Sequence, residues 1–262
     1  MNAFDFDILL PAFIAGLLVL ATHVPLGIKV LARGIIFADL AVAQIAGLGV
    51  VIAGLLGLVE YPLAVQAMAA SSALLGAALL ATIERKLPEV QEACIGLLFV
   101  LAASGGILLM SSDTHAGEHL KDLLVGQILW VNNSYLIATA ILTAVLLALW
   151  RVFNARMGSF GFYVLFALSV TASVQLVGVY LVFASLIVPA LATYKITQYR
   201  RVVAFIVGAT GYAAGLLLSV WLDLPSGAAI VWAMALTGAT VMLKKRGIIA
   251  ALLRQTQDRH DR

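Results

Sequence analysis

Long apolar runs with few charges, separated by short stretches that collect most of the charges, set the rhythm of this chain. Residues 8–31, 35–59, 63–83 and 93–110 form four such runs. Each is long enough for a membrane-crossing helix, which needs about 20 mostly apolar residues. The first is interrupted by His23 and Pro25, and the second is rich in glycine and carries Asp39 and Gln44. Residues 123–150 read as a short interfacial helix, a break at Asn132, Asn133 and Ser134, and a fifth span. Residues 160–194 are too long for one crossing and fit two short ones. Residues 202–222 and 225–243 complete about nine spans, or eight if 160–194 is merged. Ala69, Ala73, Ala77 and Ala81 recur every fourth residue, and Gly211 and Gly215 form a GxxxG pair. Such small-residue faces let neighbouring helices approach closely.

Composition turns this pattern into a class. The 262 residues are 63% hydrophobic and 11% charged, with a mean hydropathy of +1.08. Soluble domains carry about 25% charged residues. A soluble chain could not bury this much apolar surface, so the expectation is an all-α, polytopic membrane protein. The expected division is a membrane domain over residues 1–243 and a basic cytoplasmic tail over 244–262. Cys94 stands alone, which excludes an internal disulfide and any site built from several thiolates. Residues 1–7 are acidic, so no cleavable signal is expected. No Gly-rich phosphate loop of the Walker type occurs, so ATP, if used, is expected on another chain.

Charge then orients the spans. A net charge of +3 suggests nucleic-acid binding only in a soluble chain; here no nucleic-acid partner is expected. With the N-terminus outside, the cationic stretches at 29–33, 85–86, 151–156, 195–201 and 244–262 all face the cytoplasm. Of 16 Lys and Arg residues only Lys121 then falls outside, as the positive-inside tendency requires. Merging 160–194 into one span spoils this bias downstream, which favours nine spans over eight.

Residues 173–201 carry the first functional signal. No charge occurs between Leu176 and Tyr194, and Lys195, Arg200 and Arg201 follow. Pro189 removes a backbone donor and should kink or end the helix. The next residues can then turn and present a short basic helix at the cytoplasmic face. Residues 189–201 are therefore read either as a docking segment for a partner or as an ordinary span with a proline kink.

The candidate chemistry is sparse. Asp39 is the strongest single residue, because an ionised carboxylate in a span costs several kcal/mol unless paired or hydrated. It is expected either to meet a passing cation or to pair with Arg33 or Lys29. His23 is a weaker pore-lining candidate, read first as a packing histidine. Gln66, Gln127 and Gln175 are expected to hydrogen-bond between helices. The loop 113–122 holds His115, Glu118 and His119 in an H-x-x-E-H arrangement. On a helix the two histidines share a face, as a zinc pair requires. A peptidase is not expected, for want of a catalytic domain around the motif; a metal-receiving role at the outer mouth is the functional alternative to a solvated loop.

Five stretches, in order, resemble the metal-importing ABC permeases of the ABC-3 type, the zinc and manganese permease family. They are KVLARGIIFADLAVAQIAGLGVVIAG, QEACIGLLFVLAASGGILLMS, HLKDLLVGQILWVNNSYL, VGVYLVFASLIVPALATYK and WLDLPSGAAIV. The resemblance implies a homodimeric pore in the bacterial inner membrane. It also implies a separate cytoplasmic ATPase docked on the loops and an extracytoplasmic binding protein that delivers zinc or manganese, with iron possible. Gln91 stands first in the second block, and His119 stands where the family has Asp. In the family the membrane Asp is followed four residues later by His, on the same helix face. Here Asp39 is kept but the later position is Ala43, with Gln44 about 100° further round the helix. The pore is therefore expected to hold its metal loosely. A self-sufficient secondary transporter is the alternative class, but it should carry paired ionisable groups at mid-membrane, and the spans offer essentially Asp39.

Overall fold

The computed structural model describes residues 3–110, 128–131, 133–153 and 158–260. These form nine α-helices and two single-turn 3-10 segments, with no strand among the described residues. The helices are α1 (Ala3–Arg33), α2 (Ala38–Leu55), α3 (Pro62–Lys86), α4 (Gln91–Leu109), α5 (Asn133–Phe153), α6 (Ser159–Val177), α7 (Val179–Ala192), α8 (Arg200–Leu222) and α9 (Ser226–His260). Eight contain a stretch long and apolar enough to cross a membrane; the shorter apolar helix is α7.

The long run 160–194 is cut at one residue. Gly178 has φ 82° and ψ 163° and caps both α6 and α7. This backbone region is open essentially to glycine alone. Phe162, near the start of α6, packs under Arg33, and Ala190, near the end of α7, is bonded by Arg200. The chain therefore leaves the basic end of the bundle on α6, reverses at Gly178 and returns on α7. The return leg of 14 residues rises only about 21 Å.

One expected interruption takes a different form. α1 runs through His23 and Pro25 as one helix of 31 residues; neighbouring helices and local side-chain bonds support such prolines inside a membrane bundle. The interfacial helix expected before Asn133 is described only as the turn Ile128–Trp130. The apolar stretch of the last helix ends at Leu243, and its backbone continues as helix to His260.

Small residues set how closely the helices pack. A Cβ on Gly27 of α1 would strike the Leu186 carbonyl of α7, so backbone meets backbone there. Gly211 and Gly215 of α8 lie against the Cα atoms of Met234 and Ile230 of α9, which confirms the GxxxG face as an interhelical seam. Ala69, Ala73, Ala77 and Ala81 of α3 are all buried. At the end of the bundle away from the basic loops, Gln66 donates to the Tyr135 hydroxyl (3.4 Å) and Tyr135 donates to Gln175 Oε1 (3.0 Å). That chain ties α3, α5 and α6 together and bears out the interhelical reading of Gln66 and Gln175. Gln127 lies outside the described residues.

Candidate functional site

The basic loops converge on one end of the bundle. Arg33, in the last turn of α1, sits 3.6 Å from Glu84 Oε1 and 4.1 Å from the Phe162 ring centroid. Lys29, one turn earlier, holds its ammonium 4.3 Å from the centroid of the Trp150 ring. Gln91 donates to the Tyr163 hydroxyl at 2.8 Å. Glu92 Oε1, from the first turn of α4, accepts the Phe37 N–H at the start of α2 (3.1 Å). A carboxylate at that point suits the positive end of the α2 dipole. Glu84 and Glu92 are not among the site residues expected from the sequence. Their signal was acid at helix termini bordering a cationic loop.

Asp39 lies in the first turn of α2, just beyond this cluster. It is 1% exposed, and neither carboxylate oxygen has a hydrogen-bond partner among the described residues. The expected pairing with Arg33 or Lys29 is not found, because Arg33 is taken by Glu84 and Phe162 and Lys29 lies over Trp150. A buried carboxylate left this way is costly unless a cation or water meets it.

The four-residue repeat places Ala43 on the Asp39 face of α2, and Ala43 is buried. Gln44, one position on, is half-buried and stands round the helix from that face. His23 is fully buried on α1. Its Nδ1 donates to the Val19 carbonyl at 3.0 Å, with Thr22 Oγ1 also 3.0 Å away. Nε2 then keeps its lone pair and has no partner, the tautomer a metal-ligating histidine needs. Among the described residues, however, no three His, Cys, Asp or Glu side chains gather closely enough to hold a metal. His115, Glu118 and His119 lie outside the described residues.

The 189–201 segment differs from expectation in one respect. Pro189 sits inside α7, which ends one turn later at Ala192. Residues 193–199 are turns rather than a short basic helix, and α8 begins at Arg200. The reason is local. Thr193 Oγ1 donates to the Pro189 carbonyl at 2.7 Å, and Arg200 Nη2 donates to the Ala190 carbonyl at 3.2 Å. These bonds satisfy the last α7 carbonyls and close the turn before another helix can start. Lys195 and Tyr199 are left exposed on it.

The model of the ABC 3 transport family matches residues 5–162 and 148–245, almost the whole helical bundle. The chain belongs to the ABC 3 transport family. It is 26% identical over 163 residues to a Haemophilus influenzae protein named "Probable iron transport system membrane protein". That match covers 54% of this chain and 60% of the relative, so it spans less than two thirds of that protein's length. The fold is that of PsaBC from Streptococcus pneumoniae, solved in complex with Fab, with a TM-score of 0.74 and 23% identity. This likeness covers 92% of this chain and 95% of the other. A structure described as an inward-facing conformation of a metal-chelate type ABC transporter gives a TM-score of 0.65 at 18% identity, covering 90% and 85%. As a multi-pass ABC 3 permease, the chain is a member of a transport family and not of an enzyme family.

Proposed function

We propose that this ABC 3 permease is the membrane subunit of an importer for a divalent metal cation, zinc first, with manganese or iron as the nearest alternatives. It works in the bacterial inner membrane as a homodimer, with its N-terminus outside. An extracytoplasmic binding protein delivers the metal. A cytoplasmic ATPase docks on the turn after α7, where Pro189, Lys195, Arg200 and Arg201 couple hydrolysis to helix movement. The metal is cargo, and ATP is consumed by the partner.

The observation that carries the metal reading is Asp39, a buried carboxylate with no hydrogen-bond partner among the described residues, in a permease of a transport family. A cation passing α2 supplies the charge that the fold withholds. A single carboxylate with no nearby imidazole on its own helix binds weakly. Weak binding favours throughput, since an ion held tightly cannot leave. Because the described residues of one chain cannot complete a metal shell, the remaining ligands at Asp39 come from water or the second copy, while His115, Glu118 and His119 act separately at the outer mouth.

The deciding experiment is metal uptake into vesicles containing the chain with and without its ATPase. Uptake of zinc that requires ATPase and ATP supports the reading. Uptake driven by an ion gradient without the ATPase replaces it with a secondary transporter.

A further inference from the structure

Between α1, α5 and α8, at the basic end, lies a cleft of about 450 Å³. Its size falls within the range of about 300–1,000 Å³ typical of small-molecule sites. The floor is formed by Ala21 and Pro25 of α1 and the walls by Leu147 of α5 and Phe205 of α8. Ala21 and Pro25 lie four apart, on a stripe where the otherwise deeply buried α1 is only half covered. At the mouth stand Arg151, near the end of α5, and Arg201, in the first turn of α8, beside Trp150. The same Trp150 ring carries the Lys29 ammonium. Two cations therefore line the apolar slot, and a third lies against its Trp150. Among the described residues neither Arg151 nor Arg201 is in an ion pair. The exposed N–H groups at the start of α8 add further positive potential beside Arg201.

We propose that this cleft is a binding site for an anionic phospholipid. The acyl chain lies along Ala21, Pro25, Leu147 and Phe205, and the headgroup phosphate sits between Arg151 and Arg201. Guanidinium groups take phosphate oxygens in a two-point geometry that an ammonium cannot match. An amphipathic anion answers both halves of the cleft, whereas a free phosphate answers only its mouth and a neutral lipid only its walls. Arg201 opens α8 directly after the docking turn, so it borders both the cleft and the ATPase-coupling segment. The inference rests on the membrane placement of the family and not on the metal. Its test contains no ATPase and no metal, so its failure leaves the transport reading standing.

The probe is phosphatidylglycerol with brominated acyl chains, titrated into the full chain in phosphatidylcholine vesicles, with tryptophan fluorescence read out. Bromine quenches an indole on contact, and Trp150 lines the cleft. The expected result is saturable quenching beyond that given by brominated phosphatidylcholine, absent in Trp150→Phe. Arg151→Gln with Arg201→Gln should weaken it about thirtyfold, at about 1 kcal/mol per basic contact near a membrane surface. Arg151→Lys with Arg201→Lys, which keeps the charge but not the two-point geometry, should recover only part of the binding. Equal quenching by the two lipids overturns the proposal, as it would if a second copy of the chain covered the cleft. An unchanged Gln variant overturns it too. Displacement of the brominated lipid by millimolar inorganic phosphate alone would make the mouth a simple anion site and overturn the lipid assignment.

Discussion

Arg200 Nη2 donates a hydrogen bond to the carbonyl oxygen of Ala190 at 3.2 Å. The side chain that opens α8 thus closes α7, and the turn between them is held from both sides. A cation at a helix C-terminus is worth about 0.3–1 kcal/mol, and more where it is partly buried. Residues of the 189–201 segment therefore separate into a structural group, Thr193 and Arg200, and an exposed group, Lys195 and Tyr199.

This division predicts two different failures. Arg200→Ala should lower thermal stability by about 1 kcal/mol, because it removes the cationic donor at the α7 terminus and leaves the Ala190 carbonyl only Thr193 Oγ1 at 3.4 Å. Lys195→Glu should leave the unfolding midpoint unchanged while weakening co-purification with the ATPase and lowering uptake. If Lys195→Glu leaves both association and uptake at wild-type levels, the docking site lies elsewhere.

Asp39→Asn keeps the volume of the side chain and removes its charge. Uptake should fall at least tenfold at every metal concentration. The thermal midpoint should hold or rise, since an unpaired buried carboxylate costs several kcal/mol. A transport rate equal to wild type would make Asp39 a structural residue.

Ala43→His restores an imidazole one turn from Asp39 on the same face of α2. Ala43 is buried, so overpacking should cost about 1–3 kcal/mol of stability. Metal titration of the purified variant should show tighter binding than wild type, and vesicle uptake should show slower turnover. Unchanged affinity would mean that this face of α2 does not meet the ion.

His115→Ala with His119→Ala should reduce uptake chiefly at limiting zinc, because capture at the mouth matters least when metal is abundant. Imidazole must be neutral to ligate. Below about pH 6.5, the ordinary histidine value, the wild type should therefore come to behave like the double variant. Uptake by the variant that matches wild type at limiting zinc and neutral pH would leave the loop a plain connection.

Gly178→Ala forces a side chain into a backbone region that L-residues avoid, at a cost of about 1–3 kcal/mol. Thermal unfolding should register that loss, with uptake per folded molecule little changed. A midpoint equal to wild type would show that the α6–α7 reversal tolerates another conformation.

The run 160–194 shows what the sequence determines by itself. Its length and the charges flanking it already demanded two passages, because a membrane fixes how much apolar chain one crossing can use. The same constraint made the helical class, the span boundaries and the GxxxG seam legible, since lipid obliges every backbone group to bond within its own helix. Asp39 stood out for a similar reason, as a charge where charge is expensive. Only the tertiary structure decided what each charge meets. Arg33 and Lys29 were within reach of Asp39 along the chain, yet Arg33 pairs with Glu84, from a helix some fifty residues on, and Lys29 lies over Trp150. Arg200, read as a free docking cation, folds back onto Ala190. Span patterns are local and repeat every few residues, so the sequence carries them. Partner choice depends on which helix faces which, and that is set by close packing at positions such as Gly27 and Gly211, where the chain contributes only a missing side chain.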